Sequence, residues 1–194
     1  MLKKINILSK PPTVETKATC FNLLKFNSNP IMKMGYENFA SMAGGAGVDG
    51  VITVDMPPEE SQQLNSALKI VSIDAIFLIA PTTALERIKK IADLATGYLY
   101  YVSLKGVTGA GHLDIDSVNE KLQQIKSITT LPVTVGFGIK DTMTAAMIAN
   151  IAEGVVVGSA LVKEIAELAT QGQSRAINGA AKLIGEMRQA MDNA

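Results

Sequence analysis

The chain has 194 residues, of which 47% are apolar and 5% aromatic. Its 18 basic and 18 acidic residues cancel, which argues against a nucleic-acid-binding protein because that class carries a basic excess. A single cysteine, Cys20, excludes an internal disulfide framework and favours a reducing compartment. The longest apolar segment, residues 75–81, is too short to span a bilayer, and residues 1–10 do not resemble a secretion signal. We therefore expect a single cytoplasmic domain comprising residues 1–194.

The first 45 residues lack a regular alternation of strand and helix. Residues 1–13 show no period and contain two adjacent prolines, which predicts a loose segment. Residues 15–26 predict one helix, and residues 35–47 predict a second helix that ends in glycines. The stretch between them, FNSNPIMK, is too short and polar for a central strand. Two successive helices without a strand are expected here.

From residue 46 to residue 194, strands and helices alternate about five times. The predicted strands are GVDGVITVDM, DAIFLIAP, GYLYYVSL, LPVTVGFGI and EGVVVGSALV, the last running into a turn. The predicted helices cover residues 57–71, 82–95, 117–128, 140–151 and about 174–190, with Thr82 or Thr83 capping the second of them. This alternation is typical of βαβ units on a parallel sheet. An open doubly wound sheet and a closed barrel both satisfy it.

Three predicted strand ends are rich in glycine and hydroxyl residues, and ligands bind at such ends in both architectures. These ends are Gly106-Val107-Thr108-Gly109, Gly136-Phe137-Gly138 and Gly158-Ser159. Glycine lets backbone N–H groups approach an anion closely, and a helix that begins there adds favourable dipole charge. In barrels the commonest phosphate site lies after the last two strands. The pattern therefore predicts a phosphate site.

Other candidate residues lie on or after the same strands. Strand alternation places Tyr98 and Tyr100 on one face and Tyr101 on the other, so Tyr100 is expected to line a pocket. Asp55 follows the first clear strand, where it would act as a base, bind a partner's loop or cap the following loop. Lys105 and His112 fall in a glycine-rich loop, where solvent exposure is the simpler interpretation.

Five segments together resemble the tryptophan synthase alpha chain family. They are GVDGVITVDMPPEES, IFLIAPTT, YYVSLKGVTGA, LPVTVGFGI and VVVGSALV, in the family's order and spacing from about residue 29 to the C-terminus. The resemblance implies an α/β fold, a partial (β/α)8 TIM barrel that retains about the last five βα units, preceded by two extra helices. It implies a lyase of tryptophan biosynthesis that cleaves indole-3-glycerol phosphate to indole and glyceraldehyde 3-phosphate.

The resemblance also implies site residues and a partner. Tyr100 would flank the indole, and Thr108 would lie on a mobile loop over the substrate. The phosphate side would comprise Gly109, Gly136, Phe137, Gly138, Val156, Gly158 and Ser159. Asp55, Pro57 and Pro81 would lie near the interface with a beta subunit, within a heterotetramer. Pyridoxal phosphate would belong to that subunit, and this chain would need no cofactor or metal.

The sequence departs from the family at the catalytic carboxylates. The family uses a Glu at the end of its second strand and an Asp on the next loop, within a stretch resembling E-L-G-V-P-F-S-D-P that is absent here. The first strand is also absent, and the third is expected to be shortened to FNSNP. We therefore expect a truncated chain without lyase activity of its own, with two free sheet edges that favour self-association.

Two alternatives remain open at this point. The first is a remnant without catalysis that binds a phosphorylated ligand or the beta subunit. The second is another phosphate-binding barrel enzyme, such as an isomerase, although PPEES and KGVTGA argue against it because they resemble the alpha chain in particular.

Overall fold

A computed structural model describes residues 3–5, 7–9, 22–103, 114–136 and 138–194. The strands in these ranges are β1 (Lys3–Ile5), β2 (Ile7–Ser9), β3 (Leu23–Phe26), β4 (Gly50–Thr53), β5 (Asp74–Ile79), β6 (Leu99–Val102), β7 (Val133–Gly136) and β8 (Gly154–Val156). The helices are α1 (Ser28–Met34), α2 (Tyr36–Gly45), α3 (Gln62–Ile70), α4 (Leu85–Leu94), α5 (Ile115–Lys126), α6 (Thr142–Ala149), α7 (Ser159–Ala169) and α8 (Gln173–Asp192). A short 3-10 helix, Pro58–Glu60, precedes α3.

Strands β3 to β8 are parallel and pair in chain order, which makes this part of the chain a partial (β/α)8 barrel. Six parallel strands lie in the described residues, one more than the five that were predicted. The additional strand is β3, so the helix predicted over residues 15–26 is wrong for residues 23–26. The third strand of the family pattern is thus β3 and not FNSNP, whose residues from Ser28 onward begin α1. Four residues are too few to display a period of two, and adjacent leucines fit a helix equally well.

The parallel sheet has an apolar core on each face, because successive side chains of a strand point in opposite directions. The outer face packs under the helices through residues such as Val51, Phe77, Leu99, Val133 and Val155. The inner face carries a smaller group that we call the inner cluster: Leu23, Ile52, Ile76, Tyr98, Tyr100 and Val156. A sheet that is buried on both faces explains why its strands read as continuous apolar segments.

Both edges of the parallel sheet are paired with N-terminal backbone. Strand β1 runs antiparallel to β3, with Ile5 opposite Leu23. Strand β2 runs antiparallel to β8, with Ile7 opposite Val156. The expectation of two free edges is therefore wrong, and these strands lie in the segment that the sequence predicted to be loose. Strands of three residues are too short to give a periodic signal.

After β4, the helices follow the prediction except at α7 and at one cap. Helix α7 (Ser159–Ala169) begins inside the segment EGVVVGSALV, which was predicted as a strand running into a turn because it continues the apolar pattern of β8. Helix α4 is capped at Ala84, and the hydroxyl of Thr83 accepts a hydrogen bond from the Ala80 amide at 3.0 Å. Thr83 therefore ties the end of β5 to its loop, and neither predicted threonine caps α4.

Candidate functional site

The carboxyl ends of β6, β7 and β8 lie side by side at one end of the sheet, which we call the glycine-rich edge. It is distinct from the two lateral edges that pair with β1 and β2. The register places Val102 opposite Gly136, and Gly136 opposite Val156. Gly138 lies two residues beyond the end of β7, and Gly158 lies two residues beyond the end of the neighbouring β8. Both glycines are exposed, and Gly138 has a φ of 79°, which an L side chain adopts only with strain. Two of the three predicted glycine-rich ends are thus adjacent.

Helix α7 begins directly at this edge. Gly158 is its N-cap residue, and Ser159, which is exposed, is its first residue. The first N–H groups of a helix lack acceptors within the helix, and the positive end of the helix dipole lies there. The arrangement presents backbone donors to solvent beside Gly138, which is the chemistry that an anion requires.

Tyr100 and Gly136 are in direct contact on the inner face. A Cβ atom added to Gly136 would overlap the hydroxyl oxygen of Tyr100 and lie 2.6 Å from its Cε2. The tyrosine is only 6% exposed, and burial raises its pKa to about 12. The phenol is therefore neutral at physiological pH, and it forms an aromatic wall below the glycine-rich edge.

The other two tyrosines of β6 lie as the strand alternation predicts. Tyr98 belongs to the inner cluster together with Tyr100, whereas Tyr101 packs on the outer face. The pKa of Tyr98 is raised by burial and, to a smaller extent, by the neighbouring Tyr100. Burial also raises the pKa of Tyr101.

Ser103 is a residue of this edge that sequence reasoning missed. It follows β6 immediately, is 3% exposed, and directs two donors at one acceptor. Its backbone N–H and its hydroxyl both donate to the carbonyl oxygen of Gly136, each at 3.2 Å. The available signal was a hydroxyl residue between a buried strand and a glycine-rich loop.

Asp55, Pro57 and Pro81 follow the neighbouring strands β4 and β5 at the same edge. The exposed Asp55 accepts a hydrogen bond from the backbone N–H of Ser28 at 2.6 Å through Oδ1. Asp55 therefore connects the end of β4 to the first turn of α1, whereas the capping alternative predicted a bond to the loop that follows β4. Pro57 and Pro81 are half-buried, and Pro57 caps the short helix Pro58–Glu60.

The remaining predicted residues lie outside the described ranges. They are Thr108, Gly109 and Phe137, as well as Cys20, Lys105 and His112. Within the described ranges, no group of three His, Cys, Asp or Glu side chains is placed to hold a metal ion. Nor does any helix of those ranges have the length and apolar character needed to cross a bilayer.

The described strand residues of the inner face near the carboxyl ends are mostly apolar or glycine, with one lysine. They are Lys25, Ile52, Leu78, Tyr100, Val102, Gly136 and Val156. None of these is a carboxylate. The arrangement of these described residues is suited to binding an anion and an apolar ring.

Proteins of a known family are similar to this chain in sequence and in fold. The family pattern described as tryptophan synthase alpha chain matches residues 10–192. The tryptophan synthase alpha chain of Thioalkalivibrio sulfidiphilus is 54% identical over 164 residues, which are 84% of this chain and 61% of that protein. The corresponding protein of Chromobacterium violaceum is 53% identical over 163 residues, again 84% and 61% of the two chains.

Solved structures agree with the sequence comparison. The alpha subunit of tryptophan synthase from Legionella pneumophila superposes with a TM-score of 0.80 at 39% identity, covering 92% of this chain and 65% of that one. This chain spans about three fifths of the length of the curated relatives that it matches. The match extends over nearly all of the 194 residues and includes the glycine-rich edge. The chain belongs to the tryptophan synthase alpha chain family.

Proposed function

We propose that this chain carries the phosphate-binding and ring-binding part of a lyase site for indole-3-glycerol phosphate. The observation that carries the proposal is the adjacency of Gly136–Gly138 and Gly158–Ser159 above Tyr100. The register that pairs Gly136 with Val156 supports it, because it brings both glycine-rich ends to the same height on the sheet. Family membership supplies the substrate class.

The phosphate would bind to backbone donors. The amides of Gly138, Gly158 and Ser159 would donate to its oxygens, and the α7 dipole would favour the negative charge. Gly109 and Phe137 would complete this side by family resemblance, with Thr108 on the loop above. No metal or cofactor is required for such binding.

The indole would pack against Tyr100. A buried, neutral phenol offers an apolar ring face for an aromatic substrate, and offset or edge contacts between aromatic rings are favourable. Val156, opposite Gly136 and 6% exposed, would form the adjacent wall. The substrate would thus lie across the ends of β6, β7 and β8.

Cleavage would require carboxylates that the family places in a segment absent from these 194 residues. One carboxylate must move protons and another must hold the ring nitrogen while charge develops. Loss of the principal acid–base group alone lowers the rate by about a hundred- to ten-thousandfold. We infer that the 194-residue chain binds the substrate or its phosphorylated product and does not by itself release indole.

The partner would be a tryptophan synthase beta subunit, which would hold the pyridoxal phosphate. The segments that contain Asp55, Pro57 and Pro81 would face it, since they occupy the same edge of the sheet as the proposed site. The assembly would act in the cytoplasm, as expected of tryptophan biosynthesis.

Two measurements on the purified chain test the proposal. Isothermal titration with glycerol 3-phosphate should show saturable binding, and Ser159→Pro, which removes one amide donor at the start of α7, should weaken it. Ala160→Pro is the matched control, because it places the same ring one residue deeper in the first turn. Absence of heat with the unaltered chain would contradict the phosphate site. Indole release near the rate of a full-length alpha chain would contradict the inferred lack of catalysis.

A further inference from the structure

We propose that Ser103 is a positioning residue for Gly136, the last residue of β7, beside the proposed phosphate donor Gly138. The inference rests on the proposed phosphate site and assigns a role to a side chain outside its set of binding residues. Ser103 acts through the carbonyl group of Gly136.

Ser103 holds that carbonyl with two donors. Its N–H and its hydroxyl both lie 3.2 Å from the Gly136 oxygen. The N–H bond continues the ladder between β6 and β7, in which Val102 is opposite Gly136. The hydroxyl bond is additional to that ladder, so it is the part that depends on the side chain being serine.

The opposite side of Gly136 is also constrained. The phenol of Tyr100 occupies the space where a Cβ atom would lie. Tyr100 and Ser103 thus constrain Gly136 from both sides, at the end of β7 and two residues before Gly138.

A buried hydroxyl at this position requires a hydrogen-bond partner. Ser103 is 3% exposed, and a buried polar group destabilises the fold unless it is hydrogen-bonded. An alanine would continue the apolar strand without that risk. The hydroxyl bond to Gly136 satisfies this requirement and at the same time restrains the last residue of β7.

Thr134 provides a matched control within the same sheet. It is 4% exposed, lies on β7 two residues before Gly136, and places its hydroxyl 3.5 Å from the Leu99 carbonyl oxygen. Both hydroxyls are buried and face a carbonyl of a paired strand. Of the two, Ser103 donates to Gly136 at the end of β7, whereas Thr134 faces Leu99 at the start of β6.

The experiment measures glycerol 3-phosphate affinity and the Gly138 amide resonance in the free protein. Ser103→Ala should weaken binding about fivefold to tenfold, as expected for one lost hydrogen bond, and shift the Gly138 amide signal. Ser103→Thr keeps a hydroxyl and should restore both properties. Thr134→Val should lower the melting temperature without changing affinity or that signal.

Each result either supports or contradicts the proposed role of Ser103. Equal affinity of Ser103→Ala and the unaltered chain would overturn the role of Ser103 while leaving the phosphate site intact. Absence of binding by the unaltered chain would overturn the proposed function, and with it this inference. If Ser103→Ala does not fold, Ser103→Cys, which fills the same space with a weaker donor, takes its place. Failure of both variants to fold would overturn the inference in favour of a purely structural role.

Discussion

The phenol of Tyr100 occupies the position that a side chain on Gly136 would need. A Cβ atom there would lie 2.6 Å from Cε2 of the tyrosine and still closer to its hydroxyl oxygen. The two residues come from β6 and β7, and the phenol leaves no room for a side chain at position 136. This contact joins the proposed ring-binding wall to the end of β7, where the proposed phosphate site begins.

Gly136→Ala is expected to destabilise the fold by about 2–3 kcal/mol, because the added methyl group must displace a buried ring. Urea unfolding measures this change. The effect should shrink in a Tyr100→Ala background, where the space is free, giving a coupling energy of about 1 kcal/mol or more. Gly185→Ala, in α8 with nothing near its Cβ position, is the control and should be neutral or slightly stabilising. Equal costs in both backgrounds would disprove the contact.

Gly158→Ala separates binding from stability. Gly158 has a φ of −119°, and a Cβ atom there would meet nothing within 4 Å, so alanine is compatible with the fold. The methyl group would instead stand where the phosphate is expected. We predict a slightly lower melting temperature, because alanine is a weaker N-cap residue than glycine. The affinity for glycerol 3-phosphate should fall by about tenfold, a loss of roughly 1.4 kcal/mol. Binding as strong as that of the unaltered chain would place the anion elsewhere.

Alkaline pH should destabilise the chain through its inner tyrosines. Tyrosine titrates near pH 10 when unfolded, whereas burial raises the pKa of Tyr100 to about 12. The folded state therefore keeps the proton of Tyr100 up to a higher pH than the unfolded state does. Its stability is full below about pH 10 and falls as the pH rises toward 12. Tyr100→Phe should make this decline less steep in urea unfolding between those pH values. The same slope in both proteins would show that Tyr100 is solvated.

The pairing of the N-terminal strands can be tested by cross-linking. Directly opposed residues of antiparallel strands have Cα atoms about 4.5–5.5 Å apart, which suits a disulfide. With Cys20→Ser as background, Ile5→Cys with Leu23→Cys should therefore oxidise to an intramolecular disulfide. Ile7→Cys with Val156→Cys should do the same at the other edge.

The control shifts the register by one residue. Ile5→Cys with Leu24→Cys should oxidise slowly, because adjacent residues of a strand point to opposite faces. Mass spectrometry of the denatured, unreduced protein distinguishes these products. Equal yields from both cysteine pairs, or disulfides only between molecules, would refute the pairing of the sheet edges.

The sequence allowed the parallel sheet to be predicted because its strands are buried on both faces. Each of the five predicted strands contains one of the strands β4 to β8, although the last prediction ran on into the start of α7. Strand β3 was missed because the paired leucines of Leu23–Phe26 do not reveal a period. The start of helix α7 was missed because its first turn continues the apolar pattern of β8, so the segment was predicted as strand.

The site was predictable only in part. Glycine at a strand end has a visible cause, so Gly136, Gly138 and Gly158 were identified and their strands proved to be adjacent. Ser103 escaped because a hydrogen bond across two strands depends on register, and register is set by pairs distant in sequence. The bond from Ser28 to Asp55 escaped for the same reason, as its partners are 27 residues apart.

The most direct test of the account follows backbone amides during a titration with glycerol 3-phosphate, using protein labelled with nitrogen-15. The account predicts that the largest shifts occur at Gly138, Gly158 and Ser159 and saturate together with a single affinity. Amides of these three residues that do not move at saturating ligand, while others do, would contradict a phosphate site at the ends of β7 and β8.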